Sequence, residues 1–283
     1  MRTDPIIIVG MHRSGTSLVS ECIDALGVHF GADLQSDHES KFFIDLNGWI
    51  MSQSNSHWDN VQNVKYLYEN ETLKSKITKK LIDRLEQKKS IRYWGCKKQA
   101  RNELIWGWKD PRNTLTLPIW LELFPRARII QVDRHGIDVA NSLLKRTTRR
   151  TNANIAVHDR RQLLSKVLNL NTKFSPSARC TSFEGCFTLW EEHMQILAGY
   201  RKSYFQNENN FFELKYEAVL DNPKSTIEEL SHFLGLSENK GIYKEIRFDS
   251  SRAYHFRKEA NYERKYVNYI AVSYTHLTLP TKA

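Results

Sequence analysis

Short apolar runs and helical apolar stripes follow one another along this chain. Residues 6–9 and 129–132 are short runs of mostly β-branched, mostly apolar side chains, which is typical of buried strands. Residues 18–26 follow the first run with helical periodicity, and a second helical stripe covers residues 73–85, where leucine and isoleucine recur at steps of four. The pattern predicts buried strands that are followed by amphipathic helices.

The loop after the first predicted strand has the glycine spacing of a phosphate-binding loop. Gly10 and Gly15 match the two glycines of G-x-x-x-x-G-K-[ST], the nucleotide-triphosphate motif. Such a strand, loop and helix direct backbone N–H groups and the positive helix end toward an anion. Thr16 stands where that motif has lysine, and Arg13 supplies a cation from inside the loop. We therefore expect a site for a phosphate-like group that differs from the site of an ATPase.

A second anion site is predicted after residues 129–132. Arg134 follows the end of this strand, and Ser142 lies on the helix predicted next. A guanidinium and a hydroxyl at the carboxyl end of a strand suit a phosphate monoester. Asp133 leaves another interpretation open, because an acid at this position could hold Mg²⁺ in a P-loop kinase.

Lys109 is predicted to stand at the end of a third strand. Its segment begins with apolar residues, and Pro111 prevents the strand from continuing. The ends of such strands are where the active sites of open α/β sheets collect. The alternative for Lys109 is a structural ion pair with Asp110 that caps the next helix. Trp106 and Trp108 are predicted to belong to the core.

Composition and charge limit the class of protein. Of the 283 residues, 40% are hydrophobic and 26% charged, as in ordinary globular proteins, and no apolar run approaches the ~20 residues of a membrane helix. The net charge of +10 suits an anionic ligand, although most lysines fit a solvated surface. The four cysteines match no zinc or redox spacing, so we expect reduced thiols, a cytoplasmic location and no metal site.

The chain shows no internal boundary until its last residues. No linker rich in proline, glycine or serine divides it, so we expect a single domain over residues 1–270. Residues 271–283 resemble translated adapter or vector sequence and are predicted to be a non-native tail, with a short terminal strand as the alternative.

Several segments together resemble sulfotransferases that use 3′-phosphoadenosine 5′-phosphosulfate (PAPS) as donor. Residues 10–17 are similar to the 5′-phosphosulfate loop of this family, especially in bacterial members related to tyrosylprotein and carbohydrate sulfotransferases. Arg134 and Ser142 match the pair that holds the 3′-phosphate of the donor, and Lys109 matches a lysine that contacts the sulfuryl group. The resemblance runs from Pro5 to Leu236 and implies a P-loop-like α/β fold, with a central parallel sheet and helices on both faces.

The resemblance also implies roles for individual residues. Arg13 and Lys109 would neutralise charge during transfer, and Glu39 would accept the proton of the acceptor. Asp37, His38 and Asp45 stay open as alternatives to Glu39, because this segment lacks the glycine and aromatics of the family. The residues implied to bind the donor are Arg13, Ser14, Gly15, Thr16, Ser17, Arg134 and Ser142.

The predicted function is therefore transfer of a sulfuryl group from PAPS to a hydroxyl on a carbohydrate or similar biomolecule. This prediction includes no metal, no nucleic-acid partner and no integral membrane segment, and the sequence gives no indication of oligomeric state. One alternative is a magnesium-dependent kinase, which Asp133 favours and Thr16 disfavours. The other is a non-catalytic binder of a nucleotide or anionic glycan, which would apply if Glu39 does not face the sulfur.

Overall fold

The computed structural model describes residues 4–95, 104–160, 174–205, 209–237 and 242–278. Cys96 and residues 279–283 of the predicted tail lie outside these ranges. None of the helices in the described ranges is long and apolar enough to cross a membrane.

The secondary structure alternates between short parallel strands and helices. The strands are β1 (Ile6–Val9), β2 (Gly107–Lys109), β3 (Arg128–Asp133) and β4 (Phe211–Lys215). The helices in the first half are α1 (Thr16–Ala25), α2 (Lys41–Ser52), α3 (Lys65–Glu69), α4 (Glu71–Glu86), α5 (Ile91–Trp94) and α6 (Asn113–Leu123). The later helices are α7 (Gly136–Arg160), α8 (Phe183–Tyr204), α9 (Tyr216–Asp221), α10 (Pro223–Leu234), α11 (Ile242–Glu245), α12 (Tyr262–Lys265) and α13 (Val267–Thr278).

Contacts between residues divide the chain into two compact units. The first unit comprises Met1–Arg134 and His193–Tyr254, and the second comprises His135–Glu192 and His255–Ala283.

The first unit contains a four-stranded parallel sheet in the order β2-β1-β3-β4. All four side chains of β1 are fully buried, which explains why its sequence is a continuous apolar run. Because the strands are parallel, Gly10, Lys109 and Arg134 lie at or just beyond the carboxyl ends of β1, β2 and β3, at the same edge of the sheet. The predicted α/β fold with a central parallel sheet is confirmed.

Two groups of buried side chains hold this sheet to its helices. On one side, Val19 of α1 packs with Ile8 of β1 in a cluster that also includes residues of α9 and α10. Around β2, the ring of Phe43 stacks on Trp108 with centroids 4.1 Å apart, and Trp106 stacks beside Trp108. Both tryptophans are fully buried, so the prediction that they belong to the core is confirmed.

The second unit is built from α7, the part of α8 up to Glu192, α12 and α13. Its described side chains pack largely through aromatic rings, with His135 stacked on Phe256 at 4.5 Å between centroids. In α13, Ser273 is fully buried and His276 lies edge-on against Trp190. The described part of the predicted tail, residues 271–278, is therefore helical rather than a strand, and its non-native origin stays a prediction.

Candidate active site

The loop between β1 and α1 has the backbone geometry of an anion-binding turn. Gly15 caps α1 with a φ of 98°, and Arg13 also adopts a left-handed φ, of 75°. The Gly10 N–H donates to Thr114 Oγ1 at 3.0 Å, which ties the start of the loop to α6. The N-terminus of a helix reached through such a turn presents free N–H groups to a negative ligand.

The side chains of this loop differ in exposure. Arg13 is exposed, whereas Ser14 and Thr16 are buried. Ser14 Oγ is buried and has no hydrogen-bond partner within the described part of the chain. A buried hydroxyl of this kind is costly unless a ligand or water satisfies it, so the loop has an unmet capacity for hydrogen bonding.

Tyr216 connects the loop to Arg134. The Cδ2 atom of Tyr216 would lie 2.0 Å from a Cβ built on Gly15, so the ring packs directly against this glycine. Arg134 Cζ lies 4.8 Å from the centroid of the same ring, within the range of a cation–π contact. No sequence pattern predicts this contact, because Tyr216 begins α9, far along the chain from the loop.

Arg134 also bonds directly to the backbone near the loop. Its guanidinium donates to the carbonyl of Arg13 at 3.3 Å and to the carbonyl of Arg252 at 3.0 Å. The two predicted anion sites therefore meet at Arg13 and Arg134. Ser142 lies on α7 in the second unit, and its part in binding stays a prediction.

Lys109 is the buried cation of the site, with 1% of its surface exposed. Pairing of β2 with β1 places it beside Ile8, next to the start of the loop. Its ammonium donates to Ser17 Oγ at 3.1 Å, to the carbonyl of Asp37, and to Glu39 Oε1 at 3.0 Å. These acceptors match the three protons of an ammonium group.

Glu39 is buried at the start of α2. It directly precedes Ser40, whose hydroxyl caps α2 and donates to Asp33 Oδ1 at 2.7 Å. Burial raises the pKa of Glu39, and the ion pair with Lys109 opposes this effect without cancelling it. A raised pKa makes this carboxylate a stronger base than an exposed glutamate.

The other three candidates for the base, Asp37, His38 and Asp45, have different surroundings from Glu39. Asp37 and Asp45 are exposed, and Asp37 contributes its backbone carbonyl to Lys109. His38 Nδ1 and Nε2 lie 3.6 and 3.7 Å from carboxylates of α1. Among the four, Glu39 is the one whose side chain contacts Lys109.

A buried polar network lies next to this pair, and the sequence did not predict it. Asp110 pairs with Arg112 rather than with Lys109, through contacts of 2.9 Å. Asn47 of α2 donates to Asp110 Oδ2 and Asn113 Oδ1, both at 2.8 Å, and is fully buried. The segment that follows Lys109 is therefore fixed by a helix far earlier in the chain.

Asp133, the possible magnesium ligand, accepts hydrogen bonds from a side chain of its own strand. Both of its carboxylate oxygens accept from Gln131 Nε2, at 3.0 and 2.8 Å. Burial, followed by the charge of Glu213, raises its pKa to about 7. In the described ranges, no group of three or more histidine, cysteine, aspartate or glutamate side chains is arranged to hold a metal ion.

Comparison with known proteins identifies the family of this chain. A family model described as "Sulfotransferase family" matches residues 5–240. No curated protein sequence matches the chain. The fold is similar to the sulfotransferase domain from the curacin biosynthetic pathway, at 14% identity and a TM-score of 0.53, with 95% of this chain and 98% of that one covered.

A second similar structure is the sulfotransferase domain of the olefin synthase from Synechococcus PCC 7002. It is 13% identical with a TM-score of 0.55, and the match covers 99% of this chain and 96% of that one. At these identities the structures establish the shared fold. The family match spans the loop at Gly10, Lys109 and Arg134, and it shows that the chain belongs to the sulfotransferase family of enzymes.

Proposed function

We propose that this sulfotransferase takes its sulfuryl group from PAPS and transfers it to a hydroxyl on a carbohydrate or similar biomolecule. The observation that carries the proposal is the position of Lys109 Nζ, 3.1 Å from Ser17 Oγ and 3.0 Å from Glu39 Oε1. One buried ammonium thus adjoins both the phosphate-type loop and a carboxylate suited to act as base. The unpartnered hydroxyl of Ser14 supports a ligand in the loop.

The chemistry follows from these positions. The acceptor oxygen forms a bond to sulfur as the bond between sulfur and the leaving phosphate oxygen breaks, and negative charge builds on the oxygens around sulfur. Arg13, Lys109 and the N–H groups of the loop neutralise that charge, which is the main contribution of proteins to such transfers. Glu39 takes the proton of the acceptor hydroxyl, a role worth about 10²–10⁴-fold in rate.

PAPS would be bound at two groups, its 5′-phosphosulfate and its 3′-phosphate. Ser14, Gly15, Thr16 and Ser17 would bind the 5′ side through loop N–H groups and hydroxyls. Arg134 would bind the 3′-phosphate, and its hydrogen bond to the Arg13 carbonyl holds its side chain next to the loop. The part of Ser142 in the same phosphate site rests on the resemblance of its segment to the family.

Calorimetry with 3′-phosphoadenosine 5′-phosphate (PAP) tests the donor site. Wild type is expected to bind PAP without metal, and Arg134→Ala is expected to abolish that binding because it removes the cation proposed to bind the 3′-phosphate. Arg92→Ala, an exposed arginine of α5, is the matched control and should bind like wild type. Preference for ATP with Mg²⁺, unaffected by Arg134→Ala, would overturn the proposal in favour of a kinase.

Transfer of radiolabelled sulfate tests catalysis and the acceptor. Neutral glycans, anionic glycans and phenols are each incubated with labelled PAPS and enzyme. Glu39→Gln is expected to lose transfer while it retains PAP binding. Unchanged transfer in this variant would remove Glu39 as the base, and a wild type that binds PAP without any transfer would favour a non-catalytic binder.

The location and domain boundaries are part of the same proposal. Among the described residues, Cys22, Cys180 and Cys186 form no disulfide, which suits the reducing cytoplasm. The family match continues through both compact units, so we propose that residues 1–270 form one catalytic domain.

A further inference from the structure

Residues 34–40 form a tight hairpin that ends at the start of α2. Leu34 and Ser40 form an antiparallel bridge, and the Gln35 N–H donates to the Glu39 carbonyl at 2.9 Å. Inside the loop, the His38 N–H donates to the Gln35 carbonyl at 3.0 Å. This is a three-residue hairpin loop, in which the last loop residue adopts the left-handed conformation.

His38 occupies that left-handed position, with a φ of 58°. Glycine is the usual residue there because a Cβ disfavours the conformation. Histidine, like asparagine and aspartate, adopts this conformation more readily than most residues, so the contacts of its side chain must indicate its use.

The use is visible in what the ring contacts. His38 Nδ1 lies 3.6 Å from Glu21 Oε1, and Nε2 lies 3.7 Å from Asp24 Oδ2. Glu21 and Asp24 are one turn apart on α1, so both face the ring from the same side of that helix. Each ring nitrogen thus faces one carboxylate, at the distance of an ion pair and beyond that of a hydrogen bond.

The hairpin in turn carries two of the three acceptors of Lys109. The carbonyl of Asp37 accepts from Lys109 Nζ and from Ser17 Oγ, and the carboxylate of Glu39 accepts from Lys109. Both acceptors flank His38 in sequence. Any shift of the hairpin relative to α1 therefore moves both acceptors relative to Lys109, which lies on β2.

We propose that His38 is a positioning residue for sulfuryl transfer, which anchors hairpin 34–40 to Glu21 and Asp24 of α1. Through this anchor it fixes Glu39 and the Asp37 carbonyl at Lys109. The inference rests on the proposed function, in which Glu39 acts as base, but the anchor itself has a test that needs no activity.

The anchor is tested by the chemical reactivity of Lys109. The protein is treated with a water-soluble acetylating reagent, and acetylation of each lysine is followed by peptide mass spectrometry. His38→Asn removes the ring but keeps a residue that tolerates the left-handed backbone. The double variant Glu21→Gln/Asp24→Asn removes the partner charges without altering the hairpin.

We expect both variants to acetylate Lys109 about two- to fivefold faster than wild type, the range that partly exposed ion pairs can produce. Combining them should add nothing further, because both remove the same contact. Lys74, which pairs with Glu71 and Glu122, is the internal reference and should not change. His232→Asn, an exposed histidine of α10, is the control variant. If His38→Asn unfolds, His38→Gly removes the ring and relieves the left-handed backbone.

The positioning role is tested by separating turnover from binding. In His38→Asn, kcat for transfer from PAPS should fall about two- to fivefold while the dissociation constant of PAP stays unchanged. Unchanged acetylation of Lys109, or additive effects of the two variants, would overturn the anchor. An unchanged kcat would overturn the positioning role. A wild type with neither PAP binding nor transfer would instead overturn the proposed function. The acetylation rate of Lys109 would still test the contact of His38 with α1, because that measurement needs no activity.

Discussion

Lys109 Nζ lies 3.0 Å from Glu39 Oε1, in a pair whose side chains are 1% and 12% exposed. Neither charge has ready access to water, so each depends on the other for its stability. Burial raises the pKa of Glu39, and the neighbouring ammonium limits that rise. The pair therefore sets the pH at which the proposed base is ready to accept a proton.

Removal of the lysine should move the pH dependence of transfer. Lys109→Met takes away the charge that lowers the pKa of Glu39, so this pKa should rise further. Because the base acts when deprotonated, the acidic limb of the kcat profile should shift to higher pH. The maximal kcat should fall about 10²–10³-fold, since charge on the sulfuryl group loses its partner. Lys74→Met removes an ion pair of α4 and should leave the profile unchanged; an unmoved limb in Lys109→Met would contradict the coupling.

Gly15 should be far less tolerant of substitution than Gly27. Both have a left-handed backbone, with φ of 98° and 96°, but a Cβ on Gly15 would strike the ring of Tyr216 and one on Gly27 would meet nothing within 4 Å. Gly27→Ala should therefore cost about 1 kcal/mol of stability from backbone strain. Gly15→Ala should cost more and weaken PAP binding at least ~10-fold, because the loop or Tyr216 must move.

Urea unfolding and PAP calorimetry of the two variants measure these effects. Restoration of PAP binding in the double variant Gly15→Ala/Tyr216→Ala would trace part of the loss to the clash. Equal costs for the two alanine substitutions would contradict the packing of Tyr216 against the loop.

Asp133 should make the protein less stable as the pH rises toward neutrality. Its pKa is about 7 in the folded protein against an ordinary value of 3.8, so the folded state holds the proton to higher pH than the unfolded chain does. Unfolding then releases a proton between these values, and the free energy of unfolding falls as pH rises, by at most about 1.4 kcal/mol per pH unit. Burial raises the pKa of Glu213 as well, which adds to the same trend.

Asp133→Asn should flatten this dependence and be more stable relative to wild type at pH 8 than at pH 5. Urea unfolding at the two pH values is the measurement, with Asp45→Asn, an exposed residue of α2, as control. If the free energy of unfolding changed equally between pH 5 and pH 8 in wild type and Asp133→Asn, Asp133 would not hold a proton in the folded state.

Loss of Asn47 should destabilise the first unit. Its side chain donates to Asp110 and Asn113 and accepts from Thr116 Oγ1 and Trp120 Nε1, each at 2.8 Å. Asn47→Ala leaves buried polar groups without partners, and each such group costs about 1–3 kcal/mol. We expect a loss of about 3 kcal/mol in thermal or urea unfolding, against little change for exposed Asn60→Ala. A near-neutral Asn47→Ala would show that the network relaxes around the gap.

The strands and helices that position the site were largely predictable from local pattern. The apolar run at residues 6–9 became β1 over the same residues, and the run at 129–132 became β3 over Arg128–Asp133. The helical stripe predicted over residues 73–85 lies within α4, Glu71–Glu86. These elements were readable because burial on both faces of a strand, or on one face of a helix, imposes a period on the sequence.

The sequence by itself determined the class of loop, the family it resembles and the approximate place of Lys109 and Arg134 at strand ends. The tertiary structure alone decided that Lys109 pairs with Glu39 instead of Asp110. It also placed Tyr216 against Gly15 and His38 against α1. Periodicity reports whether a side chain is buried, whereas partners brought together from distant segments depend on strand register and helix packing, which leave no local pattern in the chain.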